Sequence, residues 1–149
     1  MKSSPNGPTW CVAVIKAGKW AVAIEKLREQ EFKTYAPRIK IRRNVRGKQV
    51  RVDEYLFAPY LFIELDARWP GILVTKGISR LLLTSNEKPA RVSNVWVQNM
   101  KGQEVGGYID LPKRPRAKKR WNNIGLYQGM SRLERERALL AVLAEAGPV

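Results

Sequence analysis

The chain has 149 residues, 44% of them apolar and 28% charged, the proportions of one compact domain with a short appendage. A single cysteine, Cys11, excludes an intrachain disulfide. The absence of histidine removes the usual zinc ligands, so no metal or other cofactor is expected. Twenty-eight Lys and Arg against 13 Asp and Glu leave a net charge of +15, the electrostatic character of a polyanion binder. No run approaches the roughly 18 apolar residues of a membrane span, and the opening residues lack a signal-peptide core, so a cytoplasmic protein without a membrane partner is expected.

Residues 1–8, MKSSPNGP, hold no apolar side chain after Met1 and are expected to be a disordered N-terminus. From Thr9 to Ile15 the string TWCVAVI is β-branched and apolar without alternation, which predicts a short strand buried on both faces. After Ala17-Gly18 the spacing of Trp20, Ala23, Ile24 and Leu27 predicts an amphipathic helix, with Trp20 as a core anchor. Residues 33–57 predict a long hairpin turning near Arg46-Gly47-Lys48. From Lys33 to Val52 it carries Lys33, Arg38, Lys40, Arg42, Arg43, Arg46, Lys48 and Arg51 without one acid. Such a ribbon has a weak apolar face and should project as a basic arm that meets phosphates, with Arg42, Arg43, Arg46 and Lys48 as nucleic-acid-binding candidates. The alternative is a solvated face whose charges protect a strand edge.

Tyr55 to Leu65, YLFAPYLFIEL, is the most apolar segment. Alternation puts Tyr60, Phe62 and Glu64 on one face and Leu61, Ile63 and Leu65 on the other. The aromatic pair beside Phe57 then lies either under helices or in an exposed interface patch. A brief helix or turn over ARWPGILV, a strand over residues 77–83 and a loop over 84–92 follow. Ser93 is the N-cap of a helix that uses Val95, Trp96, Val97 and Met100 and stops near Gly102.

Gly106-Gly107 opens a basic stretch with six cations among the eight residues from Lys113 to Arg120, expected to be an electrostatic linker over residues 106–124. Lys113, Arg114 and Arg116 join the nucleic-acid-binding candidates. Residues 125–149 hold a helix from about Arg132 to Glu145, begun by a capping box of Ser131 and Glu134. Its apolar residues Leu133, Leu139, Leu140, Val142 and Leu143 must dock on the main domain or on a partner, because a helix this short is marginal alone.

Catalytic chemistry has few candidates. Asp53 and Glu54 are adjacent, so on a strand they point apart. Glu64 and Asp66 could share a face, but Arg68 nearby favours a surface ion pair. Cys11 in a buried strand behaves as a small hydrophobe. No phosphate loop, dinucleotide fingerprint or nucleophile elbow is present, and no enzyme is expected.

The chain resembles the bacterial NusG family of transcription factors, most of all the specialised paralogues related to RfaH. The resemblance rests on Trp10 and its strand, Lys16-Ala17-Gly18, Tyr35-Ala36-Pro37, Arg46-Gly47-Lys48, the string LFAPYLF, Thr75-Lys76-Gly77-Ile78-Ser79, and Lys88-Pro89-Ala90-Arg91-Val92-Ser93. It covers residues 9–105. It implies an α+β, ferredoxin-like amino-terminal domain: an antiparallel sheet flanked by helices, here with the basic hairpin arm and a C-terminal helix. It also implies a non-enzymatic elongation or antitermination factor that binds bacterial-type RNA polymerase at the clamp helices of the β' subunit. Such a factor contacts DNA and nascent RNA and suppresses pausing or termination, its nucleoid association coming through polymerase.

The family's polymerase-facing positions fall on Val14, Phe57, Tyr60 and Phe62, its DNA contacts on Lys16, Lys26 and Lys76, and its loop against the opposite jaw of the cleft on Arg68, Trp69 and Pro70. Family members usually continue into a small β-barrel, the KOW domain. Gly125-Leu126-Tyr127-Gln128-Gly129-Met130 resembles its opening, after which the expected helix takes the barrel's place, so coupling to Rho or the ribosome through the barrel is expected to be absent. Two other readings stay open: a free-standing RNA- or DNA-binding module, such as an RNA chaperone or ribosome-associated protein, whose aromatics are all core, and a C-terminal helix that docks on the aromatic patch and inhibits it.

Overall fold

A computed structural model of the chain describes residues 8–113 and 126–146. The expected disordered N-terminus lies, except for Pro8, outside the described residues. Strand β1 (Thr9–Ile15) is the centre of an antiparallel sheet. On one side it pairs with β5 (Tyr60–Glu64), which carries β2 (Thr34–Tyr35) on its outer edge. On the other it pairs with β6 (Ile78–Leu81) and, at its start, with β7 (Val92–Ser93).

The lack of alternation in β1 has its cause here, because both faces of the sheet are covered. Cys11, Ala13 and Ile15, with Leu61 and Ile63 of β5, meet α1 (Trp20–Glu29) and α2 (Pro70–Leu73) through Ala23, Leu27 and Ile72. Trp10 and Val12, with Tyr60 and Phe62, meet α3 (Asn94–Gly102) through Trp96, Val97 and Met100. Ser93 caps α3 as expected, its hydroxyl accepting from the Trp96 N–H at 3.2 Å. The Trp10 indole donates to Asn94 Oδ1 at 3.0 Å, fixing α3 to the sheet.

The arm is a separate two-stranded ribbon, β3 (Arg38–Val45) with β4 (Lys48–Tyr55), turned by Arg46 and Gly47, both at positive φ. Two residues with φ > 0 match the twist of a tight hairpin. Residues 42–51 are all exposed.

The described part of the predicted linker differs from expectation. Gly106 and Gly107, at φ +62° and +87°, turn a second small hairpin, β8 (Glu104–Val105) with β9 (Tyr108–Ile109), and Ile109 and Leu111 enter the core. A Gly-Gly pair beside basic residues suggests a linker, yet it serves equally for a turn that needs φ > 0 twice. The chain returns at Leu126, which is buried, and ends in α4 (Arg132–Ala146). The capping box forms: Glu134 N–H donates to Ser131 Oγ at 3.1 Å and Ser131 N–H to Glu134 Oε1 at 3.0 Å. Among the described residues no helix is long and apolar enough to cross a membrane.

Candidate functional site

The aromatic segment lies under helices, so the exposed-patch alternative is set aside. Phe57 and Phe62 are 1% and 0% exposed. Their rings meet edge to face at 6.1 Å between centroids, and Phe62 lies 5.5 Å from Trp96 of α3. Such contacts add about 0.5–1.5 kcal/mol per pair to area burial and make both rings part of the domain core. Phe57 and Phe62 therefore offer no surface to a partner in this arrangement.

Tyr60 is buried as well, with its hydroxyl turned to α4, whereas Val14 is only half-buried. The two are register partners across β1 and β5. The Tyr60 hydroxyl donates to Glu136 Oε1 of α4 at 2.9 Å, and burial, followed by this carboxylate, pushes its pKa up to about 12.

What holds α4 in place is a polar centre around Glu54 on β4. The neighbouring Asp53 points away and accepts from the Tyr108 hydroxyl at 2.7 Å, as the alternation of a strand requires. Glu54, nearly enclosed, accepts from Arg43 at 2.6 Å and from Arg132 and Arg135 of α4. Arg135 is itself buried, and it donates from Nε to the Leu56 carbonyl at 2.9 Å and from an Nη to the Met130 carbonyl at 3.0 Å. Burial opposes ionisation of Glu54, but the guanidinium groups, Arg132 first, outweigh it and hold the carboxyl below its ordinary range. Leu139, fully buried, joins the core cluster that contains Leu56, Phe57 and Tyr60.

The face of α4 turned inward is thus Arg135 and Leu139, with Ala138 and Leu143 partly buried, whereas Leu133 and Leu140 are exposed. The stripe expected from leucine positions alone is corrected accordingly. An arginine at its centre hid it, since a buried cation is uncommon without a buried acid to meet it. The same centre was missed from the sequence for the same reason: Glu54 and Arg135 stand 81 residues apart.

The cations fall into separate groups. Lys16 and Lys76 are exposed at one end of the sheet, brought together by the Lys16 N–H donating to the Gly77 carbonyl at 2.9 Å. Lys26, on α1, pairs with Glu29 at 3.2 Å. Arg42, Arg46 and Lys48 stand exposed on the arm, whereas Arg43 is drawn to Glu54. Lys113 is exposed at the end of the described segment, and Arg114 and Arg116 lie outside the described residues.

Arg68 and Trp69, expected at a partner's surface, make contacts within the fold, and Arg68 stays exposed. Arg68 binds Asp66 at 2.8 Å and the Gln30 carbonyl at 2.8 Å and lies 4.8 Å from the centre of the Phe32 ring, while Trp69 packs on the α1-side core. The Asp66–Arg68 pair is the surface ion pair that the sequence favoured. Trp20 stacks on Tyr55 at 4.0 Å, joining α1 to the base of the arm as well as anchoring the helix.

The Cys11 thiol, buried, has its pKa pushed up to about 12 and is not a nucleophile at neutral pH. Among the described residues no three His, Cys, Asp or Glu side chains are grouped to hold a metal. Residues 8–101 match the model of a protein family described as "Transcription termination factor nusG".

Proposed function

Since the chain belongs to the NusG family of transcription factors, whose members bind RNA polymerase, we propose that it is an elongation or antitermination factor that seats on the clamp helices of the β' subunit. The seat is the end of β1 and the start of β5 at Val14 and Tyr60, backed by the rings of Phe57 and Phe62. Lys16, Lys26 and Lys76 and the arm tip at Arg46 and Lys48 meet DNA phosphates, a non-specific and salt-sensitive contact. Binding polymerase keeps the clamp closed and so suppresses pausing or termination. In the described arrangement α4 covers the seat and is displaced when polymerase binds.

The observation that supports this most directly is the way α4 sits over Tyr60, through one hydrogen bond and a charged centre beside the apolar contact of Leu139. The test is capture by core RNA polymerase together with pause duration on a defined template. Phe62→Ala is a poor variant, since emptying so buried a site costs about 3–5 kcal/mol and endangers the fold. Val14→Asp places a charge on the proposed seat beside its register partner Arg80. It should lower capture at least tenfold while the unfolding midpoint stays within a few degrees of the parent's. Undiminished capture would remove the seat.

A second reading is favoured by the burial of Phe57 and Phe62: a free-standing nucleic-acid-binding module in which the cations do all the work. It predicts tight binding to naked nucleic acid and no capture by polymerase, so the same experiment separates the two.

A further inference from the structure

Beside the arm, on the flank away from its tip, lies a groove of about 820 Å³ between β3–β4 and the small hairpin β8–β9. Contacts tie its two walls together. The Tyr108 hydroxyl is held by Asp53, and the cationic ends of Lys40 and Arg38 lie 4.5 Å and 4.9 Å from the centre of the Tyr108 ring. The exposed Val105 and the half-buried Ile41 give the lining an apolar part. The charged part is one-sided: Lys40, Arg42, Arg51 and Lys113 against Asp110 in the lining and Asp53 behind the Tyr108 hydroxyl.

Within that lining Arg42 and Arg51 are directly opposite each other across the ribbon. Like charges so placed repel, and cross-strand pairs of this kind are destabilising. Neither guanidinium has an ion pair among the described residues, although Arg43 next to them does. The protein thus holds a repulsive pair, without an ion pair among the described residues, at the mouth of a groove.

We propose that this groove binds a single strand of nucleic acid, with Arg42 and Arg51 gripping its phosphates and the bases lying against the apolar wall. Charge complementarity selects a polyanion. The size selects the strand: a cavity of this volume holds a drug-sized group, the scale of a few nucleotides, and a double helix can only touch its rim. An acidic peptide would use the cations but leave the apolar wall uncovered. Nothing in the lining singles out a 2′-hydroxyl, so RNA and DNA strands are bound alike. The site deepens the reading of the arm as a phosphate-binding element. It assigns duplex phosphates to the tip and a single strand to the flank.

The test is fluorescence anisotropy of the 149-residue chain with labelled ten-nucleotide oligouridylate and oligodeoxythymidylate, a duplex of twenty base pairs, and polyglutamate as competitor. The two single strands should bind within about threefold of each other and more tightly than the duplex. Arg42→Ala with Arg51→Ala should weaken single-strand binding at least tenfold and reduce the slope of log K against log salt by about 1.4, the value for two lost phosphate contacts. Arg46→Ala with Lys48→Ala, which removes the same charge from the tip, should cost less than threefold. Equal losses in the two double variants, preference for the duplex, or equal displacement by polyglutamate would each overturn the proposal. Polymerase capture by the Arg42/Arg51 variant is a separate readout: its retention leaves the polymerase reading standing whatever becomes of the groove.

Discussion

The packing of α1 and α2 on the central sheet and that of α4 beside β4 and Tyr60 are held by different forces. Against α1 and α2 the contact is wholly apolar and close: at Gly77, at φ +91°, an added Cβ would lie 2.9 Å from Ala23 Cβ. Against α4, one buried leucine is accompanied by an arginine, a glutamate and a tyrosine hydroxyl joined by directional bonds. Apolar contact is non-directional and is lost only with the core. A charged centre depends on one geometry and one protonation state, and breaking it leaves the sheet behind it intact. The α1–α2 packing therefore belongs to the fold, as does α3 on the opposite face of the sheet, and α4 is a cover.

That contrast can be pressed at three points. Leu27→Ala, on the apolar face, should cost about 2–5 kcal/mol. In a domain of this size that lowers the unfolding midpoint by about 6–15 °C. Hydrogen exchange should accelerate throughout the sheet; an effect confined to α1 would show that this face, too, is separable. Arg135→Ala should have a smaller and local effect. It strips one of three cations from a nearly enclosed carboxylate, and because Arg43 and Arg132 remain, the cost falls below the usual 3–5 kcal/mol of a broken buried pair, at about 2–3 kcal/mol. Amides of residues 132–146 should exchange on the order of 30- to 100-fold faster while those of β1 and β5 keep their protection, and capture by polymerase should rise. Equal acceleration in β1 would make α4 an integral layer.

Acid should act least. The Glu54 carboxyl is held below its ordinary value of 4.5, so its contribution is complete above that pH and fades as the pH falls through the lower folded-state value. Exchange in α4 should therefore quicken below about pH 4.5 before the sheet opens. Glu54→Gln should lack that early step. Its persistence in the glutamine variant would place the titration elsewhere, at Glu134 of the capping box in the first instance, whose pKa is also lowered, by its bonds to Ser131.

Local features were legible where a short stretch of chain contains its own reason. The capping box at Ser131 and Glu134, the N-cap at Ser93 and the turn at Arg46-Gly47 are each formed by residues within four positions of one another. The both-faces burial of β1 was legible too, since a strand covered on two sides cannot alternate. The aromatic segment was legible only as a choice, because periodicity tells which rings share a face but not what lies above it. Trp96, which covers Phe62, and Glu136, which meets Tyr60, belong to helices far along the chain.

By itself the sequence determined the cationic character, the absence of histidine and disulfide chemistry, the α+β class and the strings that carry the family likeness. These depend on composition and on neighbours along the chain. Only the tertiary structure decided that Phe57 and Phe62 are core and that Arg135 closes on Glu54. It alone decided that the Gly106-Gly107 turn folds back to wall a groove beside Arg42 and Arg51. Burial and charge pairing are properties of what surrounds a side chain, and here the surroundings come from segments many tens of residues away.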